Sequence, residues 1–184
     1  MKKIAIAAIM ALSAVAASAA SVTVEGQFQG SDNGGKDSTN IALTVKESIN
    51  NTFSADIGMN NYQQTDTKNL STRLEAGLTG VMPIAGAFGA YTRVAIGEKF
   101  KNGSDFTYYS VEPGVTYTMG KATAKLGYRF RDSFTESFED RTKTIRAGVS
   151  YAITPKDTIG VRYDQVRGDS QDSHSFNVAY TRGF

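Results

Sequence analysis

The chain has no cysteine and no tryptophan, only three prolines and a single histidine in 184 residues. Without cysteine there can be no disulfide and no thiolate metal site. One histidine and no tight carboxylate cluster leave no recognisable metal ligand set, and no cofactor is expected. Charge of one sign is also lacking. Lys2 and Lys3 supply the whole formal excess of +2, and the remainder carries 18 basic and 18 acidic residues. A neutral chain with no basic stripe carries no footprint for nucleic acid. Long apolar runs are missing too. The one candidate, Ile4 to Ala16, is too short and wrongly flanked for a spanning helix.

That run has another reading. Lys2 and Lys3 precede it and Ala17-Ser18-Ala19 follows it, which is the order of charged, apolar and small-residue regions in a secretion signal. Residues 1–20 are therefore expected to be a cleaved signal peptide. Residues 21–184, about 164 in number, then form one exported domain.

Within that domain, apolar and polar residues alternate in ten segments. Val22, Val24 and Phe28 share one parity of the first; Ile41, Leu43 and Val45 of the second; Phe53, Ile57 and Met59 of the third. The pattern recurs over 70–81, 87–97, 107–118, 122–132, 144–153 and 158–166, and ends at 175–184. Period two places alternate residues on opposite faces of a strand. The connections alternate as well: longer polar ones at 31–39, 63–69, 98–106, 133–143 and 167–174 are interleaved with short ones around 50–51, 82–86, 119–121 and 154–157. Short turns on one side and long loops on the other are the outer-membrane arrangement. The expected fold is all-β: a transmembrane antiparallel up-and-down β-barrel of ten strands, with eight and twelve as the neighbouring counts. It would sit in the outer membrane of a Gram-negative bacterium, in contact with lipid.

A soluble β-sandwich or lipocalin-like barrel would show the same alternation with its apolar side inward. The signal peptide, the loop asymmetry and the terminal aromatic Phe184 favour the membrane barrel. Tyr and Phe near strand ends (Phe28, Tyr62, Phe88, Tyr117, Tyr151 and Phe184) fit interfacial girdles. Pro113, inside the sixth segment, predicts a local bulge. Arg182 falls on the lipid-facing parity near one end, where a long side chain can reach the interface.

The inward parity carries the chemistry. Arg73, Arg93, Arg129, Arg146 and Arg162 fall on it, as do Glu75 and Glu112. One reading is a basic wall along a polar lumen that attracts anions, with Glu75 and Glu112 holding some of the arginines. The other is a filled interior whose charges pair among themselves. Inward glycines recur from the third segment to the ninth (Gly58, Gly77, Gly89, Gly114, Gly127, Gly148 and Gly160) and mark either room for side chains or points of curvature.

Catalytic readings are thin. His174 is flanked by Ser173 and Ser175, but adjacent strand residues point to opposite faces, so no Ser-His pair is set up. Gly30 to Lys36 nearly spells a phosphate-binding loop, yet Asp37 stands at the Ser/Thr position and a strand follows. The chain is not expected to be an enzyme.

The terminal segment from Phe176 to Phe184 resembles the C-terminal signal of outer-membrane β-barrel proteins of porin type, with Arg182 departing from the usual pattern. That resemblance implies recognition of Phe184 by the barrel-assembly machinery. Glu112-Pro113-Gly114-Val115, Gly127-Tyr128-Arg129-Phe130-Arg131 and Arg162-Tyr163-Asp164 resemble strands of the oligogalacturonate-specific porin family. It implies a narrow, monomeric, arginine-lined channel for acidic sugars; that family has twelve strands. The expected function is a porin-like channel for small, anionic solutes. The alternative is a non-conducting structural or surface-interaction barrel.

Overall fold

The computed structural model describes residues 21–32, 37–64, 70–101, 105–135, 140–169 and 172–184. The expected signal peptide lies outside them. Ten strands follow one another: β1 (Ser21–Ser31), β2 (Ser38–Ser48), β3 (Phe53–Gln64), β4 (Leu70–Ala85), β5 (Phe88–Phe100), β6 (Phe106–Met119), β7 (Ala122–Ser133), β8 (Thr142–Ala152), β9 (Asp157–Gly168) and β10 (Ser173–Gly183). Each pairs antiparallel with its sequence neighbour, and β1 pairs with β10 to close the barrel.

The faces are inverted relative to a soluble protein. Among the described residues, four buried side chains are hydrophobic and fifteen are polar or charged. Meanwhile Phe28, Ile41, Leu126, Ile145 and Phe176 are about half exposed or more. Water would penalise such a surface and lipid would not. Aromatic pairs lie toward both ends of the outer face. Phe88 packs on Tyr117 at a centroid distance of 4.7 Å, and Tyr109 on Phe134 at 5.2 Å. Tyr62 does not join a girdle, because it shares the lumen parity of Asp56, Gly58 and Asn60.

Turn chemistry explains the short end. Gly86 and Gly120 sit in the tightest turns with φ of 56° and 60°, a left-handed conformation that glycine adopts without a Cβ clash. At the β2–β3 turn, the Asn50 side chain accepts hydrogen bonds from the backbone of Thr52 and Phe53, both at 2.8 Å.

One expectation about proline is corrected. No bulge forms at Pro113. The β6–β7 register is the same on both sides of the gap (Val111 opposite Phe130, Gly114 opposite Gly127), so only the rungs at Glu112 and Pro113 drop out. Proline removes one N–H but does not require an extra residue. The register shift instead falls between Pro83 and Ala85, where β4 runs beyond its expected end.

Following paired residues around the wall shows the tilt. Gly183 leads through Ser21, Lys46, Asp56, Gly77, Ala95, Ser110, Arg131 and Thr142 to Gly168, which lies beyond the outer end of β10's pairing. One circuit therefore climbs the full height of a strand, and the strands are steeply inclined. The β1–β10 seam is closed on the inside by neutral side chains: Thr23 to Thr181 at 2.7 Å, Gln27 to Ser175 at 2.7 Å and Gln29 to Ser173 at 2.9 Å.

Candidate functional site

Because the wall is inclined, inward side chains meet diagonally across one or two strands, and three charged groups result. The first centres on Arg93. It donates from Nε (3.1 Å) and Nη2 (2.5 Å) to the two oxygens of Asp56, and its Nη1 lies 2.6 Å from Glu75. Tyr108 donates to the other Glu75 oxygen at 3.1 Å.

The second centres on Glu112, which is 3% exposed. It accepts from Arg146 Nη1 at 2.6 Å and from the Tyr91 hydroxyl at 3.0 Å, and Lys125 lies 3.7 Å away. Arg146 also approaches Asp164 at 3.6 Å. Arg162 donates to Asp164 at 2.8 Å and makes a fork to both Glu25 oxygens at 2.9 Å, reaching past β10 to β1. Parallel N–H···O pairs of this kind fix orientation as well as charge.

The third group lies at the outer end and joins Lys99, Arg131 and Asp140.

Among the described residues, two cavities inside the barrel stand out. The outer one, about 200 Å³, is lined by Arg73, Arg129 and Arg131 among others. The inner one, about 160 Å³, opens past Lys125, Thr123 and Ser150. Glu25, Arg146 and Arg162 line both, so this layer stands between them.

The expected site residues thus separate by environment. Arg93, Arg146 and Arg162 are tied to acids, with Glu75 and Glu112 among their partners. Arg73 and Arg129 have no ion-pair partner among the described residues, and their Nε atoms are buried without a hydrogen bond.

A family model described as Gram-negative porin matches residues 28–173. The chain belongs to that family. No curated protein matches it in sequence. Among solved structures, the NanC porin aligns at a TM-score of 0.60 and 13% identity, covering 89% of this chain and 100% of that one. The KdgM porin in complex with disordered oligogalacturonate aligns at 0.50 and 14%, covering 89% and 99%. At these identities the likeness shows the fold alone. Family and fold together place this porin in the outer membrane.

Several residues that build the porin's interior were not singled out by their sequence pattern. Lys99 lies on β5 beyond the expected end of that strand, and Asp140 lies in a loop. Tyr91 and Tyr108 are inward aromatics, and each faces a glycine on the neighbouring strand: Tyr91 opposite Gly114, Tyr108 opposite Gly97. An aromatic paired with glycine across a ladder is a readable signal. The glycines make room. A Cβ at Gly97 would fall 2.5 Å from the Tyr108 ring, and one at Gly77 would fall 2.5 Å from the Arg93 guanidinium. At Gly114 a Cβ would strike the Tyr91 ring and lie 2.5 Å from the Leu126 carbonyl oxygen, which is backbone and cannot step aside. Gly114→Ala is expected to destabilise the porin by about 1–3 kcal/mol through overpacking. A lowered urea midpoint of the detergent-folded barrel checks this.

His174 is on the outer face, 2.5 Å from Asp32 and stacked near Tyr163. Ser175 faces the lumen and receives Gln27 and Asn177, so the two do not meet. Arg182 is held at the rim by Asp157 at 3.3 Å. No group of three metal-ligating side chains occurs among the described residues.

Proposed function

We propose that this porin admits small solutes through the barrel and favours anions. One observation carries the reading. All five inward acids on the strands, Glu25, Asp56, Glu75, Glu112 and Asp164, are in ion pairs, whereas Arg73 and Arg129 on the outer cavity are not, among the described residues. Charge compensation at mid-height leaves a positive field at the outer cavity, which raises the local concentration of anions. The role assigned to Arg73, Arg93, Arg129, Arg146 and Arg162 is accordingly divided. Arg73 and Arg129 attract, while the other three shape the passage with Glu75 and Glu112. The reading also takes residues 1–20 as the export signal, Phe184 as the end read by the assembly machinery, and the barrel as a monomer that performs no catalysis.

The test is conductance of the purified mature protein in planar bilayers under a potassium chloride gradient. A reversal potential favouring chloride is expected. In the Arg73→Gln, Arg129→Gln double variant that preference should fall toward neutrality while the folded barrel persists. Absence of conductance would favour the filled, non-conducting barrel, for which the ion-paired layer between the cavities is the supporting observation.

A further inference from the structure

The ion pair at the outer mouth has the form of a ligand seated in a site. Asp140 precedes β8, and its neighbour Arg141 is fastened outside the wall by a hydrogen bond to Asp132 at 2.9 Å. The chain therefore crosses the rim at this point and turns the Asp140 carboxylate inward. There it meets Lys99 Nζ at 2.8 Å and lies 2.9 Å from Arg131 Nε. Both cations belong to the wall, and each is less than a tenth exposed. Each also has support of its own. Lys99 Nζ is 5.3 Å from the centroid of the Phe106 ring, and the Arg131 guanidinium carbon is 5.4 Å from that of Tyr108. Cation–π contacts at this range favour the seated positions of the two groups from the ring side, independently of the carboxylate side.

The resident carboxylate fits imperfectly. Arg131 Nε and Asp140 Oδ2 are close enough to attract, yet both are buried without a hydrogen bond. A buried donor left in that condition is costly. Burial alone would raise the Asp140 carboxyl. Arg131 and Lys99 reverse that, with help from Arg73, and hold it below its ordinary value, so it is ionised at neutral pH.

We propose that Lys99 and Arg131 form a carboxylate-binding site at the outer mouth of the lumen, and that Asp140 occupies it as an internal surrogate for the carboxylate of an incoming solute. A solute carboxylate that displaces Asp140 can align with Arg131 Nε as the tethered one does not. It is then beside the unpaired Arg73 and Arg129 on the outer cavity. This rests on the reading of the barrel as an anion-admitting channel and adds to it the class of group that enters first.

The experiment is calorimetric titration of the detergent-folded full barrel with malonate, which does not depend on an open pore. A site filled by its own side chain about nine-tenths of the time binds an external ligand about tenfold more weakly than the vacant site. Asp140→Asn, and equally Asp140→Ser, should therefore bind malonate about tenfold more tightly than the parent barrel. Adding Lys99→Gln and Arg131→Gln to either variant should abolish that gain. Affinity unchanged in both Asp140 variants overturns the proposal, as does a gain that survives loss of both cations. A tenfold gain in a barrel that fails to conduct would sink the channel reading and leave this site standing. Anion-selective conductance with no gain would do the reverse.

Discussion

Replacing Glu112 by alanine is expected to cost the folded barrel about 3–5 kcal/mol, the cost of removing one member of a buried ion pair. Glu112 is 3% exposed and gathers three strands: Tyr91 from β5, Lys125 from β7 and Arg146 from β8. Without it, Arg146 keeps, among the described residues, the longer contact to Asp164 at 3.6 Å, and the Tyr91 hydroxyl loses its acceptor. Pro113 adjoins it and already breaks the ladder to β7, so the backbone there offers little reinforcement. Urea unfolding of the variant in detergent, followed by the loss of the folded form on gels, measures the effect. A companion variant separates lost attraction from an orphaned charge. Glu112→Leu with Arg146→Met removes both charges and should recover most of the stability. Equal losses in the two variants would show that the site matters for its shape and not for its charge.

Substituting serine for both Glu25 and Arg162 is expected to raise single-channel conductance several-fold. Arg162, Glu25 and Arg146 are the side chains common to the inner and outer cavities. Removing the forked pair as a unit strands neither charge, and Asp164 retains Arg146. The narrowest section limits flow, so two cavities of about 160 and 200 Å³ that merge should pass ions much faster. Anion preference should persist, because Arg73 and Arg129 are untouched. Planar-bilayer recordings give both quantities. An unchanged conductance would place the constriction elsewhere.

The ten strands were legible because each carries its own alternation, and parity alone sorted Phe28, Val94 and Tyr128 to lipid and Arg73, Glu112 and Arg162 to the lumen. Partnerships were not legible. Arg162 finds Glu25 by reaching past a strand, and Arg93 finds Asp56 two strands away, because the inclination of the wall decides which inward residues are level. That inclination is a property of closure and is not written in any one segment. Strand ends were the other weakness. Glu98-Lys99 reads as the start of a polar loop, yet β5 continues to Phe100 and turns Lys99 inward. Asp140 carries no periodic signal at all, and its inward course follows from how Arg141 is fastened to Asp132.

The seam between β1 and β10 bears on how the barrel is made. The other nine pairings join neighbours in the chain and can form as local hairpins, whereas the seam joins residues such as Thr23 and Thr181, 158 positions apart. Until it shuts, the molecule is a curled ribbon with two free edges, each open to pairing with a stranger. The two edges meet through hydroxyls and amides, which exchange water for one another at little cost. Among the described residues the Glu25–Arg162 fork is the seam's one charged contact inside the barrel, and it can shed its hydration after the edges are aligned, while Asp32 and His174 meet across the seam on the outer face and stay well exposed. Closure should therefore proceed at a rate almost indifferent to salt, even though the finished interior depends on its ion pairs.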